Sequence, residues 1–256
     1  MARTAITLAK TAITSARTAI TLRRQQIFNF PYLLQTAGTN NISVATFDPT
    51  GDSGQSLTGW CWMNGNMAQN GTSLLSKFDY GINQRAFLMM VGPAGNLRVL
   101  LSAAGVGITK DYRTSNTICD NRHHFVAFTW NNGTLKVFTD GEESSVTKVT
   151  DAAMTAIFNS TARIGLGHNY TTGVAVGQFT GLIGRAGLAP VVATAAQIRD
   201  LYYEGKVTLS STSGLWDTTE GSGTTLTDTS GNGRNMTITN ATWNSFTPRK
   251  ARTVIS

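Results

Sequence analysis

Glutamate is nearly missing from these 256 residues: Glu142, Glu143, Glu204 and Glu220 are all there are. Charged residues of every kind amount to 14%, against roughly 25% in an ordinary soluble domain. So thin a supply of strong helix formers argues against a helical bundle or a coenzyme-binding α/β enzyme. Cysteine occurs twice, at Cys61 and Cys119, which excludes a disulfide-dense scaffold and a four-cysteine zinc site. No stretch approaches the roughly 20 uninterrupted apolar residues of a membrane-spanning helix, so no membrane insertion is expected. Glycine, in contrast, occurs 26 times, and threonine is abundant throughout. The composition is that of a β-rich, weakly charged chain.

The net charge of +7 belongs to the ends. Arg3, Lys10, Arg17, Arg23 and Arg24 lie in the first 25 residues, and Arg249, Lys250 and Arg252 in the last ten, with no acid in either stretch. The thirteen basic residues between them face all 14 acids, so the body is close to neutral. Basic ends of this kind serve as docking arms or as solvated tails. They do not by themselves indicate a nucleic-acid partner, which calls for a basic face on the folded body.

The first 24 residues repeat with a period of seven. Arg3-Thr4-Ala5-Ile6-Thr7-Leu8-Ala9 returns as Lys10-Thr11-Ala12-Ile13-Thr14-Ser15-Ala16 and again as Arg17-Thr18-Ala19-Ile20-Thr21-Leu22-Arg23. Ile6, Ala9, Ile13, Ala16 and Ile20 fall at the spacing of a short coiled-coil seam. Arg3, Lys10, Arg17 and Arg24 then form one stripe with no acidic partner, free for an anionic surface. The many β-branched residues weaken a helix, and the alternative is an extended strand added to a neighbour's sheet edge. A transit peptide or a disordered leader would also be Arg- and Thr-rich, but neither needs exact heptads. Residues 1–26 are read as an attachment or oligomerisation arm, with Arg3, Ile6, Ala9, Lys10, Ile13, Ala16, Arg17, Ile20, Arg23 and Arg24 as its working residues.

From residue 27 to residue 248 the texture is of short alternating strands broken by Gly and Asn, and residues 249–256 form a basic tail. Arg85–Val91 and Leu97–Leu101 read as strands around the turn Gly92-Pro93-Ala94-Gly95-Asn96. Phe125–Trp130 and Thr134–Phe138 form a hairpin turned at Asn131-Asn132-Gly133. One body helix is expected over Ala193–Tyr202, capped by Thr194, buried through Ile198 and Leu201, and stopped by Gly205.

An ordered set of these segments resembles the laminin-G-like, concanavalin-A-like jelly roll. Ser56-Leu57-Thr58-Gly59-Trp60-Cys61-Trp62 is similar to its early strand. His123–Phe128 with Gly133–Gly141 is similar to its most recognisable hairpin, and Ala162–Gly167 with Gly177–Ile183 to its later strands. Leu215–Gly233 and the strand closing at Trp243 resemble a segment found with such jelly rolls in phage structural proteins. The resemblance covers roughly residues 28–205 plus this C-terminal segment. It implies an all-β antiparallel sandwich with one short helix, carried as a single domain behind the N-terminal arm.

That fold holds both glycan hydrolases and non-catalytic binders, so function must come from a site. Glycoside hydrolysis needs two carboxylates placed across one bond. Glu142-Glu143 is the only adjacent Glu pair, and neighbours on a strand face opposite ways. Gly51-Asp52-Ser53-Gly54 has the look of a nucleophile segment, but His123, His124 and His168 all follow it, and it reads as a loop. His123-His124 has no Cys or acid at ligand spacing. Asp228, Ser230 and Asn232, before Gly233, match the first half of a calcium loop whose twelfth position is Thr239 rather than Glu. Tight turns use the same residues. Trp60, Trp62, Trp130, Trp216 and Trp243 read as core rather than sugar platforms, and the cysteines as buried thiols.

The expectation is a non-catalytic phage virion structural protein. Its jelly roll is displayed outward on the particle surface and anchored to other virion proteins by the arm, as capsid decoration or head fibre rather than tail fibre. It is expected to be a homo-oligomer, most simply a trimer, with a host-surface glycan as ligand. The alternatives are a free-standing carbohydrate-binding lectin and a glycan-cleaving enzyme.

Overall fold

A computed structural model describes residues 32–51, 53–66 and 69–245. The arm residues Arg3 to Arg24, Asp52 and the basic tail lie outside the described residues.

Two antiparallel sheets form a sandwich. The first contains β2 (Ser56–Asn64), β7 (His123–Asn131), β8 (Thr134–Thr139), β9 (Glu142–Glu143), β14 (Thr180–Ala189) and β15 (Gly214–Trp216). Strand β2 lies between β7 and β14, β8 and β9 continue beyond β7, and β15 pairs with the end of β14. The second is a ladder of β11 (Ile164–Leu166), β3 (Ser73–Asp79), β4 (Gln84–Val91), β5 (Asn96–Leu101), β6 (Lys110–Thr117) and β10 (Val146–Asp151). A small hairpin, β12 (Asn169–Thr171) with β13 (Val174–Val176), touches β3 through one parallel bridge, Tyr170 to Asp79.

Strand β1 (Tyr32–Val44) joins the two sheets. Its first half pairs with β14 and its second half with β11, while β17 (Met236–Ser245) follows it along both. The register breaks between Thr36 and Asn41, where Gly38 takes φ +78° and Asn240 on β17 takes φ +55°. Side-chain-free Gly38 tolerates that left-handed backbone, and the resulting bulge lets one strand leave the first sheet and enter the second. A short β16 (Thr225–Leu226) edges β17.

The core between the sheets follows from alternation. Ile238, Ile42, Leu166, Leu75, Met89, Val99 and Tyr112 are successive cross-strand partners and all point inward, none more than 4% exposed. Phe87, Phe128, Trp130 and Trp216 fill the same layer. The expected strands and the Asn132-Gly133 turn are observed, both turn residues having positive φ (+35° and +105°).

The outer face of the first sheet is closed by helix α1 (Ala195–Tyr203). Thr194 caps it as expected: its hydroxyl accepts from the Gln197 amide, and the Gln197 side chain returns the bond to the Thr194 amide. Ile198 and Leu201 press onto Trp60, Trp62, Phe125 and Phe138, and Tyr202 stacks on Trp62 at 5.5 Å. Gly187 has no side chain because the Trp60 ring lies across it; a Cβ there would sit 2.1 Å from the indole. No helix covers the outer face of the second sheet among the described residues.

A candidate binding groove on the second sheet

One register row crosses that outer face: Thr225, Thr237, Ser43, Gly165, Ser76, Leu88, Leu100, Asp111 and Thr150. It divides into a hydroxyl-rich flank and a buried apolar patch of Phe78, Leu88, Met90 and Leu100. The division falls at Gly165, where His168 crosses the sheet; a Cβ on Gly165 would meet the His168 ring at 3.0 Å.

The flank forms a cavity of about 360 Å³, lined by Asn41, Ser43, Val44, Ala45, Arg163, Thr237 and Thr239. Its chemistry comes from period-two alternation. Ile42 and Ile238 face the core, so Asn41, Ser43, Thr237 and Thr239 face outward. Arg163, just before β11, is exposed and makes no ion pair among the described residues. The lining therefore offers hydroxyls, one amide and one guanidinium, and no carboxylate.

Tyr170 connects this groove to the interior. Its hydroxyl lies 3.5 Å from the Asn41 side-chain oxygen, with Ser43 and Arg163 close enough to act on its titration. Burial pushes its pKa up despite the opposing effects of Ser43 and Arg163, so the phenol stays a neutral donor. Behind it, His168 is fully buried: Nδ1–H donates to the Leu166 carbonyl at 3.2 Å, leaving Nε2 to accept from the Tyr170 hydroxyl at 3.0 Å. Burial pushes the imidazole pKa down to about 4, against the Leu166 bond, so His168 is neutral at physiological pH.

The residues singled out from sequence lie elsewhere. Asp228 is buried, and its carboxylate accepts from the backbone amides of Leu215, Ser230 and Arg234. Burial raises its pKa, but the bonds from Ser230, Leu215 and Arg234 outweigh that and hold it below the ordinary carboxylate value. Asn232 donates to Ser230 Oγ and to the Thr212 carbonyl. These three side chains organise a turn, and the Asp228 oxygens face N–H donors rather than converging on open space.

His124 sits between Asp140 (2.8 Å) and Asp120 (3.0 Å), holding the foot of the β7–β8 hairpin, while His123 lies beside Asn64. Glu142 forms a bidentate pair with Arg199 of α1, and Glu143 binds Lys136. Trp60, Trp62, Trp130 and Trp216 are at most 1% exposed, and Trp243 is half-buried with its indole N–H on the Gly223 carbonyl. Cys61 and Cys119 are free and buried. No group of three or more His, Cys, Asp or Glu suited to a metal occurs among the described residues.

Sequence reading missed the groove. The alternations Asn41-Ile42-Ser43-Val44 and Met236-Thr237-Ile238-Thr239 were its signal, but they do not say that the two strands lie side by side.

Residues 36–199 match a family model described as the concanavalin A-like lectin/glucanases superfamily, laminin G type. No curated protein sequence matches the chain. Among solved structures, a Bacteroides ovatus protein described as carbohydrate-binding superposes with TM-score 0.62 at 16% identity, over 86% of this chain and 61% of its own. The chain thus spans about three fifths of that protein's length. The receptor-binding domain of a botulinum neurotoxin C/D mosaic serotype gives TM-score 0.50 at 14% identity, over 71% of this chain and 44% of that one. Domain 4 of the extracellular arabinanase AbnA from Geobacillus stearothermophilus, solved with arabinotriose, gives TM-score 0.45 at 18% identity, over 68% and 89%.

Proposed function

The chain belongs to the concanavalin A-like lectin/glucanase superfamily, and from that premise we propose that it is a non-catalytic, glycan-binding display module of a phage virion. The observation that carries the glycan part is the groove: seven residues on an open sheet face offering hydroxyls, an amide and a guanidinium, without a carboxylate. Such a lining hydrogen-bonds sugar hydroxyls and places Arg163 where it can meet a saccharide oxygen or an acidic substituent. Hydrolysis would need two carboxylates across one glycosidic bond. The two neighbouring glutamates are on β9 in the first sheet, engaged by Arg199 and Lys136.

The virion part rests on the exact N-terminal heptads and on the resemblance of Leu215–Gly233 to segments of phage structural proteins. The arm docks on other virion proteins and assembles the chain as a homo-oligomer, most simply a trimer, on the particle surface. Capsid decoration or a head fibre is the favoured place for it, ahead of a tail fibre. Chain entry supports display: Tyr32 and Ser245 are cross-strand partners at the opposite end of β1 from the groove. The arm also separates this reading from a free-standing lectin.

The test is a glycan array of neutral and acidic saccharides probed with the full chain and with Arg163→Ala. Binding that weakens in the variant supports the reading. Equal binding by both proteins moves the site elsewhere, and binding to nothing on the array refutes the glycan role. Deleting residues 1–26 should abolish incorporation into particles; retained incorporation would refute the anchoring role.

A further inference from the structure

Five large apolar side chains are exposed among the described residues, and four of them stand on three neighbouring segments at one rim: Tyr80 (62%), Ile82 (50%), Val106 (61%) and Val174 (65%). Tyr80 and Ile82 lie on the β3–β4 turn, Val106 on the β5–β6 loop and Val174 on the β12–β13 hairpin. Hydrogen bonds tie these three segments together. Asp79 accepts from the amides of Gly81 (3.1 Å) on its own turn and of Thr172 (2.8 Å) and Gly173 (2.7 Å) on the hairpin. Arg85 donates from one guanidinium nitrogen to the Val106 carbonyl and from the other to the Tyr80 carbonyl at 3.1 Å.

Arg85 is only 8% exposed and forms no ion pair among the described residues. Its guanidinium lies 4.2 Å from the centre of the Tyr80 ring. The ring is therefore held by a cation on one side and presents its other side to solvent. A surface tyrosine fixed in this way loses little side-chain freedom when something stacks on it.

The rim continues into the groove. The Tyr80 amide donates to the Tyr170 carbonyl at 2.9 Å, and the Tyr170 hydroxyl reaches the groove lining at Ser43 and Arg163. Both features lie at the same end of the second sheet, because Val44 pairs with Ile164 and Ile164 with Lys77, two residues before Asp79.

We propose that the Tyr80 rim is a second subsite of the groove, on which a pyranose ring of an oligosaccharide stacks its C–H face while the groove holds a neighbouring sugar by hydrogen bonds. This rests on the glycan reading above. Four side chains are too few for a stable protein partner, whose interface takes roughly 20–30 residues a side. One flat ring bordered by three aliphatic groups is suited to a single sugar unit.

The test is an NMR titration of the full chain with mono-, di- and tetrasaccharides of glucose, galactose, mannose and N-acetylglucosamine, beside Tyr80→Ala and Tyr80→Phe. A tetrasaccharide should shift the Tyr80 ring and the Val106 and Val174 methyls together with Ser43 and Thr237. Tyr80→Ala should weaken tetrasaccharide binding about tenfold, leave monosaccharide binding unchanged, and be rescued by Phe. Tyr80 is exposed, so the variant folds, which matching amide spectra confirm. Shifts confined to the groove, with full affinity in Tyr80→Ala, overturn the second subsite while leaving the groove intact. Rim shifts that depend on protein concentration alone also overturn it, because the rim is then a contact between copies. Absence of any shift with every sugar removes the underlying glycan reading.

Discussion

Acidifying the protein from pH 7 to pH 4 should remove stability that traces to one side chain behind the groove. His168 is fully buried, donates to the Leu166 carbonyl and accepts from Tyr170, an arrangement that holds only the neutral ring. Its pKa is lowered from 6.5 to about 4, whereas in the unfolded chain it titrates normally. Between those two values the unfolded state binds the proton and the folded state does not, so stability falls as the pH drops. At ~1.4 kcal/mol per pH unit, the interval from 6.5 to about 4 corresponds to about 3 kcal/mol. Urea denaturation at half-unit pH steps, on the native protein and on His168→Gln, isolates the effect. Carboxylates with lowered pKa, such as Asp228, lose their contributions nearer pH 4 in both proteins and cancel in the difference. The gap between the two stability curves should close by about 3 kcal/mol over that range. Parallel curves from pH 7 to pH 4 would refute the claim that burial keeps His168 neutral.

Four further outcomes follow from the geometry. His124, held up in pKa by Asp140 and Asp120 against the opposing effect of burial, stabilises fully below about pH 6.5 and loses that contribution as the pH rises through its elevated folded value. Stability of His124→Gln should therefore vary less between pH 6 and pH 8 than that of the native protein. Gly187→Ala forces a methyl into the Trp60 indole and should cost about 1–3 kcal/mol in chemical denaturation. Asp79→Ala removes the acceptor of three backbone amides, so it should cost about 1–3 kcal/mol and speed hydrogen exchange at Thr172 and Gly173. Burial pushes both thiols up, Cys119 to about 11 with help from Asp120. A thiol reagent at pH 8 should thus find neither cysteine in the native chain and both in denaturant.

Local chemistry made part of this fold legible. Asn132-Gly133 supplies two positive-φ residues in a row, which only a tight hairpin uses, and Thr194 with Gln197 writes a helix start that no other element needs. Trp60 and Trp62 could be placed inside because nothing but the core or the helix contact absorbs such area. Pairing across distance was not legible. Strands β1 and β17 are joined by register over some two hundred residues, and the sheet crossing at Gly38 depends on a bulge that no motif announces. The groove depends on that pairing, since Ser43 and Thr237 become neighbours only through it. The rim is hidden for a related reason: Tyr80 and Ile82 in a turn look like scattered surface residues until Asp79 and Arg85 bring Val106 and Val174 beside them. In the opposite direction, Asp228, Ser230 and Asn232 had the spacing of a calcium loop while serving a turn that backbone amides close.

The central claim is that the outer face of the second sheet, at Ser43, Arg163 and Thr237, holds a saccharide. A crystal structure with the tightest-binding oligosaccharide from the array tests it most directly. Sugar hydroxyls are expected within hydrogen-bond distance of Ser43, Thr237 and the Arg163 guanidinium, with the next ring over Tyr80. Sugar bound on the α1 side of the first sheet, or at the turn around Asp228, would contradict it.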